Sequence, residues 1–150
     1  MKFKFIWVGK TRDANWKALQ DEYLRRLSHF VNCEIKEVKD ATGPNSVEME
    51  GNRMLALLNH SSFVTLLDVK GRTLSSHDLA AEIEKWQNRG LREIAFLIGG
   101  SEGVSSQVAD RADLGLSLSF MTFTHETARV ILIEQLYRAF TINKGFPYQK

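Results

Sequence analysis

Two hydrophobic periods alternate along this chain, one strand-like and one helix-like. Residues 2–9, KFKFIWVG, set Phe3, Phe5 and Trp7 against Lys2, Lys4 and Ile6, as a strand does. Asp13 is then a plausible N-cap, and Trp16, Leu19, Tyr23, Leu24 and Leu27 carry helical spacing to about His29. The polar alternation of CEIKEVK (33–39) predicts a strand near a sheet edge. DATGPNS (40–46) is turn chemistry broken at Gly43-Pro44. Ser46 is expected to cap a second helix, with Glu48 and Glu50 favourably placed in its first turn.

The run FVTLLDV (63–69) is apolar nearly throughout, which predicts a strand buried on both faces. Residues 75–90 carry helix punctuation: Ser75 as cap, Asp78 closing a capping-box pair, and Gly90 at the end. REIAFLIGG (92–100) reads as a second buried strand, followed by a short helix around Ser105–Ala112. LGLSLS (114–119) makes a fifth strand, and a long helix runs from about Thr124 to Asn143. Five strands alternating with five helices predict an α/β fold: an open, mostly parallel sheet with helices on both faces, in one domain spanning residues 1–150. The last helix is apolar at 130, 131, 132, 133, 136, 137 and 140, so more than one side of it is packed. A central helix in a small core and a contact between subunits both satisfy that pattern.

Composition narrows the class. A chain of 150 residues, 43 % hydrophobic and 25 % charged, suits a globular domain with a real core. It has no apolar run near the roughly 20 residues of a membrane span, and its first residues read as a strand, not a signal peptide. The single cysteine, Cys33, excludes an internal disulfide framework and fits a reducing cytoplasm. A net charge of +2 permits a nucleic-acid partner without demanding one. Lys2, Lys4, Lys10, Arg12, Lys17, Arg25 and Arg26 form either a basic concentration or a solvated face balanced by Asp21 and Glu22. His29, His60, His77 and His125 lack close metal-ligand spacing, so no metal is expected. Cys33 reads as an ordinary strand residue, not a nucleophile.

The candidate chemistry starts at AFLIGGSEGVSS (95–106), an apolar strand breaking into three glycines. A Walker A loop would need the lysine and Ser/Thr that are missing here, and the glycine spacing is wrong for a dinucleotide fingerprint. Glu102 would repel a pyrophosphate at the following helix N-terminus. A plain tight turn, with Glu102 complementing the helix dipole, is the simpler alternative. Downstream, FMTFTHET (120–127) keeps Phe120, Met121 and Phe123 where a polar turn belongs, as a loop folding over a flat purine would. The implied ligand is a nucleoside without phosphates.

FLIGGSEG, LSLSFMTFTHETARVILIEQLYRAF and FPYQK resemble the RlmH-type family of SPOUT methyltransferases. VGK, EYLRRL and DLAAEIEKW agree, so the resemblance covers essentially the whole chain. It implies a C-terminal trefoil knot and a homodimer with S-adenosylmethionine held by the knot loops. It further implies methyl transfer to N3 of a pseudouridine in large-subunit (23S) ribosomal RNA on the assembled ribosome. Carried over residue by residue, the cofactor site comprises Leu67, Asp68, Gly99, Gly100, Gly103, Ser119, Phe120, Met121, Thr122, Phe123 and Thr124. Glu102 joins it as a group compatible with a cationic sulfonium. Tyr148, Lys150 and Arg138 are the catalytic candidates, and Arg129, Phe146 and Tyr148 the RNA contacts. Surface ion pairs with Glu126 and Glu134 are the simpler roles for Arg129 and Arg138. Phe146 and Gln149 stand where the family commonly has histidines, and Thr124 and Thr127 where prolines are usual. Two readings from other classes stay open: a nucleotide-binding module, and a ribosome-associated protein without methyl transfer.

Overall fold

A computed structural model describes residues 1–148. Ten elements alternate: β1 (Lys2–Val8), α1 (Ala14–Leu27), β2 (Asn32–Val38), α2 (Ser46–Leu55), β3 (Phe63–Thr73), α3 (Ser76–Asn88), β4 (Glu93–Ile98), α4 (Ser106–Arg111), β5 (Leu114–Ser117) and α5 (His125–Lys144). They build one five-stranded sheet of order β2-β1-β4-β3-β5, with every neighbouring pair parallel. The mostly parallel sheet expected from the pattern is therefore wholly parallel among these strands. β2, the polar alternating segment, is an edge strand.

The period-two alternation decides which layer each residue joins. Phe3, Phe5 and Trp7 of β1 and Ile94, Phe96 and Ile98 of β4 pack one face against residues of α1, α3 and α5. Ile6 and Val8 with Ala95 and Leu97 pack the other face against Met54 of α2 and Val108 of α4. Aromatic edges lock the first layer, with Phe3 and Phe96 T-shaped at 5.1 Å. Lys4 occupies an apolar-layer position and is buried; its ammonium reaches Glu93 at 3.2 Å and the Leu57 carbonyl at 3.1 Å.

Two elements differ from their sequence expectation. Asn45, not Ser46, stands at the N-cap of α2 and makes no side-chain cap bond; Ser46 is already helical. Strand β3 runs on to Thr73, past the polar residues where the sequence pattern ends. Its pairing with β5 is interrupted: Leu67 and Arg72 both oppose Leu116, so residues 68–71 bulge out of the ladder. The strand rejoins because Gly71 lies against the Gly115 backbone, where a Cβ would come within 2.6 Å of the Gly115 carbonyl carbon. Only the first half of β3 is buried on both faces; from Asp68 onward it is largely exposed.

The crowded apolar pattern of α5 is met largely within the chain. Val130, Leu132, Ile133, Leu136 and Phe140 are buried, while Ile131 and Tyr137 are half-buried. Ser76 of α3 donates to Gln135, and Asn143 donates to the Ala80 carbonyl, fixing α5 against α3.

Candidate functional site

In an open parallel sheet the strand C-termini form the ligand edge, because the helix N-termini that follow point their amides there. β4 ends in a turn in which the Gly103 N–H donates to the Gly100 carbonyl at 3.1 Å. Gly103 has φ +86, a conformation that glycine adopts without strain. Gly99 is required for space: a Cβ there would sit 2.6 Å from Val104 Cγ1 and 2.9 Å from the Gly103 carbonyl oxygen. The turn folds back on its own strand, and Ser105 then caps α4 by accepting from the Val108 N–H.

Beside this turn the bulge of β3 presents Asp68, which braces its own loop by accepting from the Lys70 N–H at 2.9 Å. The segment after β5 crosses back over both, held by Ser119 Oγ accepting from the Met121 N–H at 3.0 Å. Thr124 ends the segment as N-cap of α5, and its hydroxyl lies 2.8 Å from that of Thr127. Thr124 Oγ1 also accepts from the Thr127 N–H at 3.4 Å, which makes a side-chain cap.

The ends of β3, β4 and β5 enclose a cleft of about 330 Å³. Leu67, Asp68, Gly99, Gly100, Gly103, Ser119, Met121, Thr122 and Phe123 line it, so nine of the sequence-derived cofactor residues meet in one place. Three others lie elsewhere. Phe120 is 86 % exposed and faces a neighbouring groove beside Arg72 and Lys85. Thr124 caps the helix, and Glu102 is exposed at the tip of the turn, outside the lining. Sequence reasoning missed Val69, Ile98, Ser101, Val104, Leu116, Leu118, His125 and Ala128. Most of these are strand or loop apolars that read simply as core; His125 opens the last helix. The walls are mainly apolar, with Asp68 as the acid and neither lysine nor arginine in the lining.

The RNA and catalytic candidates fall differently. Arg129 is buried, 2 % exposed, and so is not placed as a surface phosphate contact. Its guanidinium donates to the Val8 carbonyl at 2.7 Å and to Thr11 Oγ1 at 2.9 Å, and lies 4.7 Å from the Trp7 ring centroid. Burial lowers its pKa. The simpler pairing with Glu126 is also absent as a contact, because that carboxylate accepts from the Arg12 N–H at 2.7 Å. Arg129 therefore ties the start of α5 to the end of β1.

Arg138 and Tyr148 share one acceptor. Arg138 donates to Glu134 at 2.6 Å, Tyr148 Oη donates to the same oxygen at 2.8 Å, and the guanidinium lies 4.8 Å from the Tyr148 ring centroid. Burial, together with the Glu134 carboxylate, pushes the Tyr148 phenol well above its ordinary value, in keeping with its donating to Glu134. Phe146 is 51 % exposed and packs on Phe30, 5.9 Å between centroids. Lys150 lies outside the described residues. The tail group is remote from the cleft of its own chain: Glu134 is nine residues along α5 from His125, about 14 Å at the helical rise.

Among the described residues, no group of three or more His, Cys, Asp or Glu is placed to hold a metal ion. Among the described residues, likewise, no helix is long and apolar enough to cross a membrane.

Residues 1–149 match a family model described as predicted SPOUT methyltransferase. The chain is 42 % identical over 153 residues to the ribosomal RNA large subunit methyltransferase H of Desulfotalea psychrophila. It is 37 % identical over 159 residues to the protein of that name in Streptococcus pneumoniae, and each alignment covers all of both chains. A solved structure of a probable methylase family protein from Haemophilus influenzae Rd KW20 shares the fold at TM-score 0.59 and 10 % identity. That likeness covers 99 % of this chain and 70 % of the other.

Proposed function

This chain belongs to the SPOUT methyltransferase family and is a methyltransferase, and from that premise we propose that it carries a methyl group from S-adenosylmethionine to N3 of a pseudouridine in large-subunit ribosomal RNA. The observation that carries the donor assignment is the cleft at the ends of β3, β4 and β5. Its volume of about 330 Å³ lies at the lower end of the range for small-molecule sites, roughly 300–1,000 Å³. Apolar walls suit a purine, the open backbone of the glycine turn suits close approach, and Asp68 suits a ligand that is cationic at sulfur. A nucleoside triphosphate would find no lysine or arginine in that lining, which counts against the nucleotide-binding alternative.

When bound, the donor supplies an electrophilic methyl group on sulfonium. The protein has to hold the acceptor nitrogen in line with it and remove the N3 proton. Met121, 76 % exposed at the rim, and Phe123 are positioned to cover a ligand and exclude water. Arg129 holds α5 to the β1 loop, so the rim of the cleft at His125 and Ala128 is tied to the sheet.

The working form in this reading is a homodimer on the ribosome in the cytoplasm. The remoteness of Tyr148 and Arg138 from their own cleft supports it, since a second copy could supply the tail to the acceptor side. A trefoil knot belongs to the same reading. It is supported by a chain that leaves the β5 edge and crosses the ends of β3 and β4 before α5 bonds the β1 loop.

Titration calorimetry with S-adenosylmethionine tests the donor site. Saturable binding with Kd in the micromolar range, about −8 kcal/mol, is expected. An absence of heat at about millimolar ligand, or tighter binding of a nucleoside triphosphate, would overturn the assignment.

A further inference from the structure

A second cleft, of about 240 Å³, opens beside the first, and the two share one wall: Gly100, Ser101 and His125 face both. It lies where β1 and β4 are neighbours and their chain continuations part. β1 leads to α1 on one face of the sheet, and β4 leads to α4 on the other. That divergence is the topological switch point of an open parallel sheet, the place where such sheets seat ligands. The donor assignment leaves it unused.

Its chemistry contrasts with that of the donor cleft. Lys10, Arg12 and Arg129 bring positive charge; Asp40, Glu50 and Glu126 bring negative charge. Glu126 is engaged by the Arg12 N–H, and Asp40 lies against Gly9, with Oδ1 2.6 Å from where a Cβ would stand. Glu50 is different. One carboxylate oxygen, Oε2, accepts from the Ala41 N–H at 3.1 Å, which fixes the group. The other, Oε1, lies 3.2 Å from the position that a Cβ on Gly100 would take, against the bare backbone of the shared wall. The neighbouring glycine explains how it gets there. A Cβ on Gly51 would come within 2.4 Å of Ser105 Oγ, so glycine lets α2 close onto the cap of α4 and carries Glu50 to the wall.

We propose that this second cleft seats the acceptor nucleobase, a pyrimidine imide, and that Glu50 takes its N3 proton. The inference rests on the methyl-transfer reading above and deepens it. The N3–H bond breaks toward Glu50 Oε1, and the nitrogen pair forms the new N–CH₃ bond. The C–S bond breaks with its electrons going to sulfur. The carboxylate ends as a neutral acid and the spent donor as a neutral thioether, so charge balances. Arg129, whose buried guanidinium lines the cleft, favours the negative charge that develops on the imide.

Glu50→Gln keeps the size of the side chain and an acceptor for the Ala41 N–H, but it cannot take the proton. With ribosomes as substrate, its single-turnover rate is expected to fall at least about 100-fold, the usual scale of general-base catalysis. Donor affinity by calorimetry should stay within about twofold and the thermal midpoint should not move. Glu48→Gln, on the exposed first turn of α2, should keep the wild-type rate. In a measurement independent of turnover, pseudouridine nucleoside added with S-adenosylhomocysteine should shift the amide resonances of Ala41, Gly100 and Ser101. A Glu50→Gln protein with wild-type rate overturns the proposal. So does one that loses donor affinity in step with rate, or a nucleoside that moves none of those amides. A wild-type protein that binds donor but methylates nothing fails the underlying methyltransferase reading instead, before any variant is made.

Discussion

At the residue scale, the same letter serves different physical ends. Gly103 is needed for a backbone conformation, Gly99 for room against Val104, and Gly51 for room against Ser105. Gly99→Ala forces the turn away from β4. It is expected to weaken S-adenosylmethionine binding by at least about tenfold, or 1.4 kcal/mol, in the same calorimetric titration. Unchanged affinity would mean that the turn is not part of the donor site. Cys33 shows the opposite kind of residue. Burial pushes its thiol up to about 11 from an ordinary 9.0, which favours the protonated form and cuts the thiolate fraction at pH 8 by about 100-fold. Alkylation by iodoacetamide is therefore expected to be slow at pH 8, speeding up as pH rises toward 11. Rapid labelling at pH 7 would contradict that environment.

At the element scale, much was legible in the sequence because the punctuation is local. Ser75 and Asp78 form the capping box that their three-residue spacing suggests, and Asp13 caps α1 as read. The failures are equally physical. The bulge and continuation of β3 depend on Gly71 meeting Gly115, a contact between distant residues that no local pattern encodes. Arg129 read as a surface cation because its acceptor, the Val8 carbonyl, is 121 positions away. Glu50 read as a helix-dipole partner in the first turn of α2, but only Glu48 stands there; its wall, Gly100, is supplied by the distant turn after β4. The cleft at the ends of β3, β4 and β5, the proposed donor site, was readable because both of its signals were local anomalies: glycines ending a buried strand, and apolar residues kept in a loop. Phe120 was the exception, an apolar loop residue that faces outward. The tail follows the logic of α5, where Tyr148 docks on Glu134 and Arg138 far from its own cleft. Tyr148→Ala is expected to slow methylation by about tenfold or more while leaving donor affinity nearly intact. An equal loss of both would place the tail in the donor site instead.

At the scale of the whole molecule, the sheet order explains why two clefts adjoin. β4 sits between β1 and β3, so its glycine turn forms one side of the switch-point crevice and one side of the cleft built with β3 and β5. The two clefts therefore meet along Gly100, Ser101 and His125, which in the proposed reading brings the acceptor nitrogen next to the methyl group. α5 begins at that wall and is anchored to β1 through Arg129, which couples the rim of both clefts to the core. The measurement that tests this account most directly is methyl transfer itself. The purified protein would be incubated with isotope-labelled S-adenosylmethionine and ribosomes from cells lacking its gene, and the product RNA mapped by nuclease digestion and mass spectrometry. The expected result is a labelled methyl on N3 of a single pseudouridine of the large-subunit RNA, approaching about one per ribosome. Ribosomes that remain unlabelled while the protein binds the donor, or label found only on the small-subunit RNA, would contradict it.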